Sequence, residues 1–229
     1  MPMTETRDEL LGNRETLAER IADHLAADII SQNIRPGEQL VETELATRLK
    51  TSRAPIRDAF HLLELKGFVE VIPRKGAFVR KFTAKEIDDV YQVRAALEDL
   101  VCQLAIPQLS AENLQRLEAA LSEMKEALYL QDVKSYFQGN LLFHQVFLDA
   151  ANNEVLKEVY SRLGRPLTGL RMMSLSMSNS LAESFLEHTK ILKAVKKKDV
   201  VLARKLFEAH TLRALEKLRS LVSGEEPGR

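Results

Sequence analysis

Glu42-Thr-Glu-Leu-Ala-Thr-Arg-Leu-Lys-Thr-Ser-Arg-Ala-Pro-Ile-Arg-Asp-Ala-Phe-His-Leu-Leu-Glu-Leu-Lys-Gly67 reads as two short helices joined by a tight turn. Ser52 is placed to cap the second helix by accepting from a free backbone N–H. Pro55 is tolerated in that first turn because its missing donor would be unpaired anyway. Ile56, Ala59, Phe60 and Leu63 then recur at helical spacing as an inward face,. Arg53 and Arg57, four residues apart, fall on the other face near the N-terminal end. That is where a recognition helix meets base edges and phosphates in a major groove.

The next segment extends this reading. Phe68–Ile72 and Ala77–Arg80 look like two strands around Pro73-Arg-Lys-Gly76, which predicts a hairpin,. Its tip carries Arg74 and Lys75 and can act as a wing touching the DNA backbone or minor groove. The unit is a winged helix-turn-helix. From Arg48 to Lys81 nine lysines and arginines stand against three acids, whereas the whole chain of 229 residues has a formal net charge of zero. Charge therefore argues against a generally basic coating protein and for a local nucleic-acid patch.

Residues 15–82 resemble the winged-helix domain of the GntR family of bacterial transcription regulators. The resemblance is carried by Ile34-Arg-Pro-Gly-Glu-Gln-Leu40, Glu42-Thr-Glu-Leu-Ala46, Ser52-Arg-Ala-Pro-Ile-Arg-Asp-Ala59 and Leu65-Lys-Gly-Phe68. It implies DNA contacts at Arg35, Ser52, Arg53, Pro55, Arg57 and the wing of Arg74, Lys75 and Gly76. Lys50 stands where that family usually has glycine between the helices.

Strand alternation ends near Lys81, and Thr83-Ala-Lys-Glu86 supplies a capping box for a new helix,. This divides the chain into a DNA-binding domain, 1–82, and a second domain, 83–229. Helices are predicted at 84–106, 110–130, 132–150, 153–164, 180–197 and 199–221, with Gly164-Arg-Pro166 and Ser174–Ser180 as breaks. The fold class is mainly α, a winged helix followed by an all-α antiparallel bundle of six helices. Residues 1–13 and 222–229 are polar and read as frayed tails. Cys102, the sole cysteine, reads as a buried helical thiol,. No apolar leader or membrane-length run is present, so the expectation is a cytoplasmic protein with no membrane partner.

Polar residues interrupt the apolar stripes of the second domain. Asn140 and His144 sit among Phe137, Leu141, Phe147 and Leu148, His188 among Leu181, Phe185, Leu192 and Val195, and His210 among Ala203, Phe207, Ala214 and Leu218. One inward histidine is ordinarily a hydrogen-bonded core residue. Three from facing helices, with an oxygen ligand one turn from the first, suit a zinc, nickel, manganese or iron site; a metal-free polar pocket is the alternative. Arg94 lies on the side of Val90, Tyr91, Leu97 and Val101. It either bridges to Glu98 one turn on or clamps a carboxylate.

Residues 84–221 resemble the FCD effector domain in its shorter form, through Asn140-Leu-Leu-Phe-His144 with Ala151-Asn-Asn153, and Glu187-His188 through to His210. The resemblance implies a divalent metal, zinc or nickel, held by Asn140, His144, His188 and His210, with Asn140 replacing an aspartate. It also places Arg94 in the pocket with Asn140 to hold the effector. The resulting expectation is a homodimeric regulator, acting as a repressor on an inverted-repeat DNA operator and sensing a small carboxylate. A metal-free or acyl-type pocket is the runner-up. The rival reading, a DNA-tethered metal-dependent hydrolase, lacks an HExxH motif or a nearby general base, so the chain is not expected to be an enzyme.

Overall fold

The structure is a computed structural model and describes residues 15–223. The predicted tails therefore lie outside the described residues, except that Val222 and Ser223 still belong to the last helix. The chain divides into two compact units, one up to Lys81 and one from Phe82.

The first unit begins with α1 (Leu17–Ile30), started by a capping box between Thr16 and Glu19,. Its buried stripe of Ala18, Ile21, Leu25 and Ile29 packs on the third helix. Next come β1 (Gln39–Leu40), α2 (Glu42–Arg48), α3 (Arg53–Leu65), β2 (Val69–Ile72) and β3 (Gly76–Val79). The sheet order is β1-β3-β2, antiparallel throughout, with Ile72 opposite Gly76 at the hairpin and Gln39 opposite Phe78. The two-residue β1 was not expected, being too short to show alternation. Ser52 precedes α3 as predicted, but its hydroxyl makes no cap hydrogen bond.

Both helices of the motif end in the same way. Phe68 N–H reaches back to Leu63 O and Gly67 N–H to Glu64 O, with Gly67 in the left-handed region at φ +75°. Thr51 N–H bonds Ala46 O and Lys50 N–H bonds Thr47 O, with Lys50 at φ +50°. These are Schellman closures, and their C′ position favours glycine. The turn geometry thus explains why glycine suits position 50, and it forms here around a lysine.

The second unit contains α4 (Ala84–Ala105), a 3₁₀ turn (Ile106–Gln108), α5 (Ala111–Leu130), α6 (Val133–Ala150), α7 (Glu154–Arg162), α8 (Gly164–Leu175), α9 (Ser180–Lys196) and α10 (Val200–Ser223). Seven α-helices are present among the described residues of this unit, not six. The additional one is α8, read from sequence as two breaks with a short stretch between them. Pro166 falls within the first turn, where a helix has no intrahelical use for its N–H,. Gly164 and Gly169 add weak helix propensity to that stretch,. Tertiary burial overrides it: Leu167 and Leu170 are core residues, and Met172 and Met173 pack against that core. Cys102 is buried in α4, and its surroundings push the thiol pKa up, burial first. Among the described residues, no helix is long and apolar enough to cross a membrane.

The hairpin of α5 and α6 turns at Gln131, which is left-handed at φ +54°, and Asp132 caps α6 through Ser135 N–H. Gly139 is what lets these helices approach. A Cβ built there would lie 2.8 Å from Met124 Cγ and 3.1 Å from the backbone oxygen of Ala120. Gly139 immediately precedes Asn140, so this close approach sets the depth of the polar residues on α6. Gly139→Ala is expected to destabilise the helical unit by about 1–3 kcal/mol through overpacking. Urea denaturation followed by circular dichroism measures this; an unchanged midpoint would contradict the close-approach account.

Candidate functional site

The first candidate surface lies on the winged unit. Ile56, Ala59, Phe60 and Leu63 are buried, and Ser52, Arg53 and Arg57 are exposed on the opposite face of α3. Pro55 is half-buried in the first turn. Arg74, Lys75 and Gly76 are exposed at the hairpin tip, where Arg74 and Gly76 take positive φ and Gln39 Nε2 donates to Lys75 O at 2.8 Å. Thus β1 braces the wing. Arg35 is exposed in the loop before β1, with its backbone N–H on Glu38.

Arg57 is already engaged. Its Nε donates to Glu42 Oε1 at 2.8 Å and Oε2 at 3.0 Å, which holds the Glu42 carboxyl below its ordinary range. Glu42 begins α2, so this bond ties the two motif helices together and orients the guanidinium. The pair is fifteen residues apart, too far for helical spacing to reveal it.

The second candidate site lies inside the helical bundle. His144 from α6, His188 from α9 and His210 from α10 are all buried, and one ring nitrogen from each lies within 4.8 Å of the others. The rings have a common orientation logic. His188 Nδ1 lies 2.7 Å from Ser184 O, which can only accept, so Nδ1 carries the proton,. His210 Nδ1 lies 2.8 Å from Glu187 Oε2, and His144 Nδ1 faces Glu98 Oε1 at 3.5 Å. With Nδ1 turned to an acceptor, the neutral tautomer of each ring would keep its lone pair on Nε2, the nitrogen free to ligate a metal. His144 Nε2 is buried without a hydrogen-bond partner. Burial and Arg171 hold the His144 pKa well below its ordinary value, and burial and His210 do the same for His188.

Asn140 joins this cluster through its nitrogen. Its Nδ2 lies 3.1 Å from His188 Nε2. Because the His188 proton is on Nδ1, the amide N–H donates to the Nε2 lone pair.

Beside the histidines is a buried ion network that sequence analysis saw only in part. Glu98 Oε1 accepts from Arg94 Nε at 3.0 Å, Arg171 Nη2 at 3.0 Å and Tyr160 OH at 2.9 Å; Oε2 accepts from Thr211 Oγ1 at 2.6 Å. Arg171 also donates to Tyr160 OH at 2.7 Å. Arg94 makes the local bridge to Glu98 and also lines the cavity, so the two readings of Arg94 are compatible. Burial opposes ionisation of Glu98, but the adjacent Arg94 and Arg171 charges outweigh it and keep its pKa well below the ordinary carboxylate range. Two guanidiniums thus share one carboxylate, and the Arg171 Nε donor has no partner. The cavity is lined by Tyr91, Arg94, Asn140, Arg171 and His210, among others, and His144 and His188 are not among its lining residues.

Arg171 escaped notice because α8 did. Once 164–175 is helical, Arg171 on the face of Leu167, Leu170 and Leu175 would have stood out. Tyr160 and Thr211 carried no sequence signal, and Glu187 was visible only as the neighbour of His188.

Comparison with known proteins agrees with both units. Residues 17–79 match the model described as bacterial regulatory proteins, gntR family, and residues 89–213 match the FCD domain. The HTH-type transcriptional regulator YdhC of Bacillus subtilis is 30% identical over 196 residues, covering 85% of this chain and 87% of that protein. The transcriptional repressor RspR of Escherichia coli is 24% identical over 216 residues, covering 94% and 95%. The gluconate operon transcriptional repressor of Bacillus licheniformis is 30% identical over 198 residues, covering 82% and 79%. Among solved structures, E. coli McbR/YncC superposes with a TM-score of 0.64 at 21% identity, over 91% of this chain and 99% of that one, a likeness of fold.

Glu98→Gln would leave two buried guanidiniums without their counter-charge. The helical unit is expected to lose about 3–5 kcal/mol of stability. Chemical denaturation tests this, and a loss below that of an ordinary surface substitution would show that Glu98 does not hold the bundle together.

Proposed function

The chain belongs to the GntR family of bacterial regulatory proteins and carries an FCD domain, and from this premise we propose that it is a DNA-binding transcription regulator whose helical bundle senses a small organic acid. DNA binding and transcription regulation belong to the family; the sensing, the metal and the residues are our reading. The observation that carries it is the charge imbalance in the bundle. Arg94, Arg171 and Glu98 are buried, two cations and one anion. Uncompensated buried charge is costly. A carboxylate in the cavity would supply the missing negative charge and take up the unused Arg171 Nε donor.

The histidine cluster fits a divalent cation, since Nδ1 of His188 and of His210 is taken up by an acceptor, His144 Nδ1 faces Glu98, and His144 Nε2 is buried without a hydrogen-bond partner. His144, His188 and His210 would hold zinc or nickel, with Asn140 offering Oδ1 after its amide turns over. The ion would add positive charge and open coordination positions for the acid. Arg94 and Arg171 would orient the carboxylate, and in doing so compete with Glu98. Because Glu98 joins α4 to α7, α8 and α10, that competition alters helix packing in the unit. A ligand shifts a regulator only through different affinity for its two arrangements, and this exchange of partners supplies such a difference. A second reading, a metal-free pocket, is favoured by the Asn140 N–H that already occupies the His188 lone pair.

On the DNA side, Arg53 and Arg57 would reach base edges, and Ser52, Pro55, Arg35 and the wing of Arg74, Lys75 and Gly76 would position the motif on phosphates. The protein would act as a homodimer, most simply a repressor, on an inverted repeat that matches its two-fold symmetry. Replacing Arg53 or Arg57 by alanine is expected to weaken specific operator binding by about an order of magnitude each. Fluorescence anisotropy on the folded variants checks this; wild-type affinity in both would remove α3 as the reading helix.

For the pocket, calorimetry of the full chain with zinc or nickel, before and after chelation, is the direct measurement. His188→Ala and His210→Ala should each abolish metal retention, and Asn140→Asp should tighten it by removing the competing N–H and adding a charge. If chelator-stripped wild type takes up no divalent ion, yet acids still bind, the metal-free reading holds.

A further inference from the structure

The cavity extends outward from the buried arginines between α9 and α10. Ser180, Glu183, Ser184 and Glu187 recur along one face of α9, and His210, Arg213 and Lys217 along α10, all on its walls. Glu187 meets His210 and Arg213, while Ser180 and Glu183 meet Lys217, so the two helices run antiparallel along it. His210 and Lys217 are two helical turns apart, about 10 Å along the axis.

The two ion pairs on this wall are built in opposite senses. In the inner pair the carboxylate is the enclosed member: the Glu187 side chain is 12% exposed, against 47% for Arg213, and His210 Nδ1 also holds it. In the outer pair the cation is enclosed: Lys217 is 16% exposed and Glu183 44%. Lys217 Nζ lies 2.6 Å from both Glu183 Oε2 and Ser180 Oγ. An exposed carboxylate regains its hydration on leaving a pair, whereas a largely enclosed ammonium needs another anion in its place. Glu183 is therefore the displaceable partner, and Glu187 is the fixed one.

We propose that Lys217 is a specificity-determining residue that receives the distal carboxylate of a dicarboxylic acid whose proximal carboxylate lies at the Arg94–Arg171 end. This rests on the carboxylate-sensing reading above and goes beyond it by naming the class of acid. The incoming distal carboxylate displaces Glu183 into solvent. The Ser180 hydroxyl, which accepts from Lys217, keeps its own hydrogen to donate to the ligand. A monocarboxylate of equal carbon count fills the inner end and leaves the Lys217–Glu183 pair closed.

Titration calorimetry on the full chain, with glutarate and adipate set against valerate and hexanoate, tests the assignment. The diacids should bind about tenfold tighter than the monoacids of the same length, as expected for one added charge-assisted hydrogen-bonded contact. Lys217→Met keeps the aliphatic stem and should remove that preference while leaving monoacid affinity within about twofold. Glu183→Gln, which removes the competing internal anion, should tighten the diacids and leave the monoacids unchanged. Equal wild-type affinity for the two classes, or a diacid preference that survives Lys217→Met, overturns the role of Lys217 and leaves carboxylate sensing intact. Binding of neither class overturns both.

Discussion

A single buried carboxylate organises the helical unit. Glu98 accepts four hydrogen bonds from α4, α7, α8 and α10 and faces His144 of α6. A buried charge persists only when paired and hydrogen-bonded, and in a low-dielectric interior those bonds are directional and strong. The apolar core brings the helices together without specifying which arginine lies where. Glu98 fixes that arrangement, and the two guanidiniums it shares become the positive end of the cavity.

The histidines depend on the same logic at the next level. An imidazole can ligate only through an unprotonated nitrogen, and the partner of its other nitrogen decides which one that is. Ser184 O and Glu187 settle His188 and His210, and Glu98 faces His144, so the ion network and the histidine cluster share a residue. Asn140 is the point of tension. In an aspartate its place would hold a charge facing a lone pair; as an amide it donates to that lone pair and stabilises the cluster without an ion. The amide thus satisfies His188, while His144 Nε2 stays without a hydrogen-bond partner.

In the winged unit, local geometry controls presentation. Two Schellman closures turn the chain sharply after α2 and α3, and the Gln39 bond from β1 holds the wing tip. The Glu42–Arg57 bond spans the motif. Arg57 therefore has its direction already chosen by a carboxylate partner that engages only its Nε.

Period and punctuation in the chain were enough for the winged helix: an apolar face in α3, a hairpin signalled by Pro73 to Gly76, and an acid-poor stretch of basic residues. The same periodicity placed Asn140, His144, His188 and His210 inward, because a helix face is a local property. It could not find α8, since Gly164, Pro166 and Gly169 carry the signals of a loop and only burial of Leu167 and Leu170 makes that stretch helical. With α8 went Arg171, and with Arg171 the charge imbalance that gives the cavity its chemistry. Glu98 and Thr211 are 113 residues apart, and Glu98 and Arg171 are 73 apart. Spacing along one helix constrains its faces, but which faces meet, and which ring nitrogen keeps its lone pair, are decided only when the helices pack.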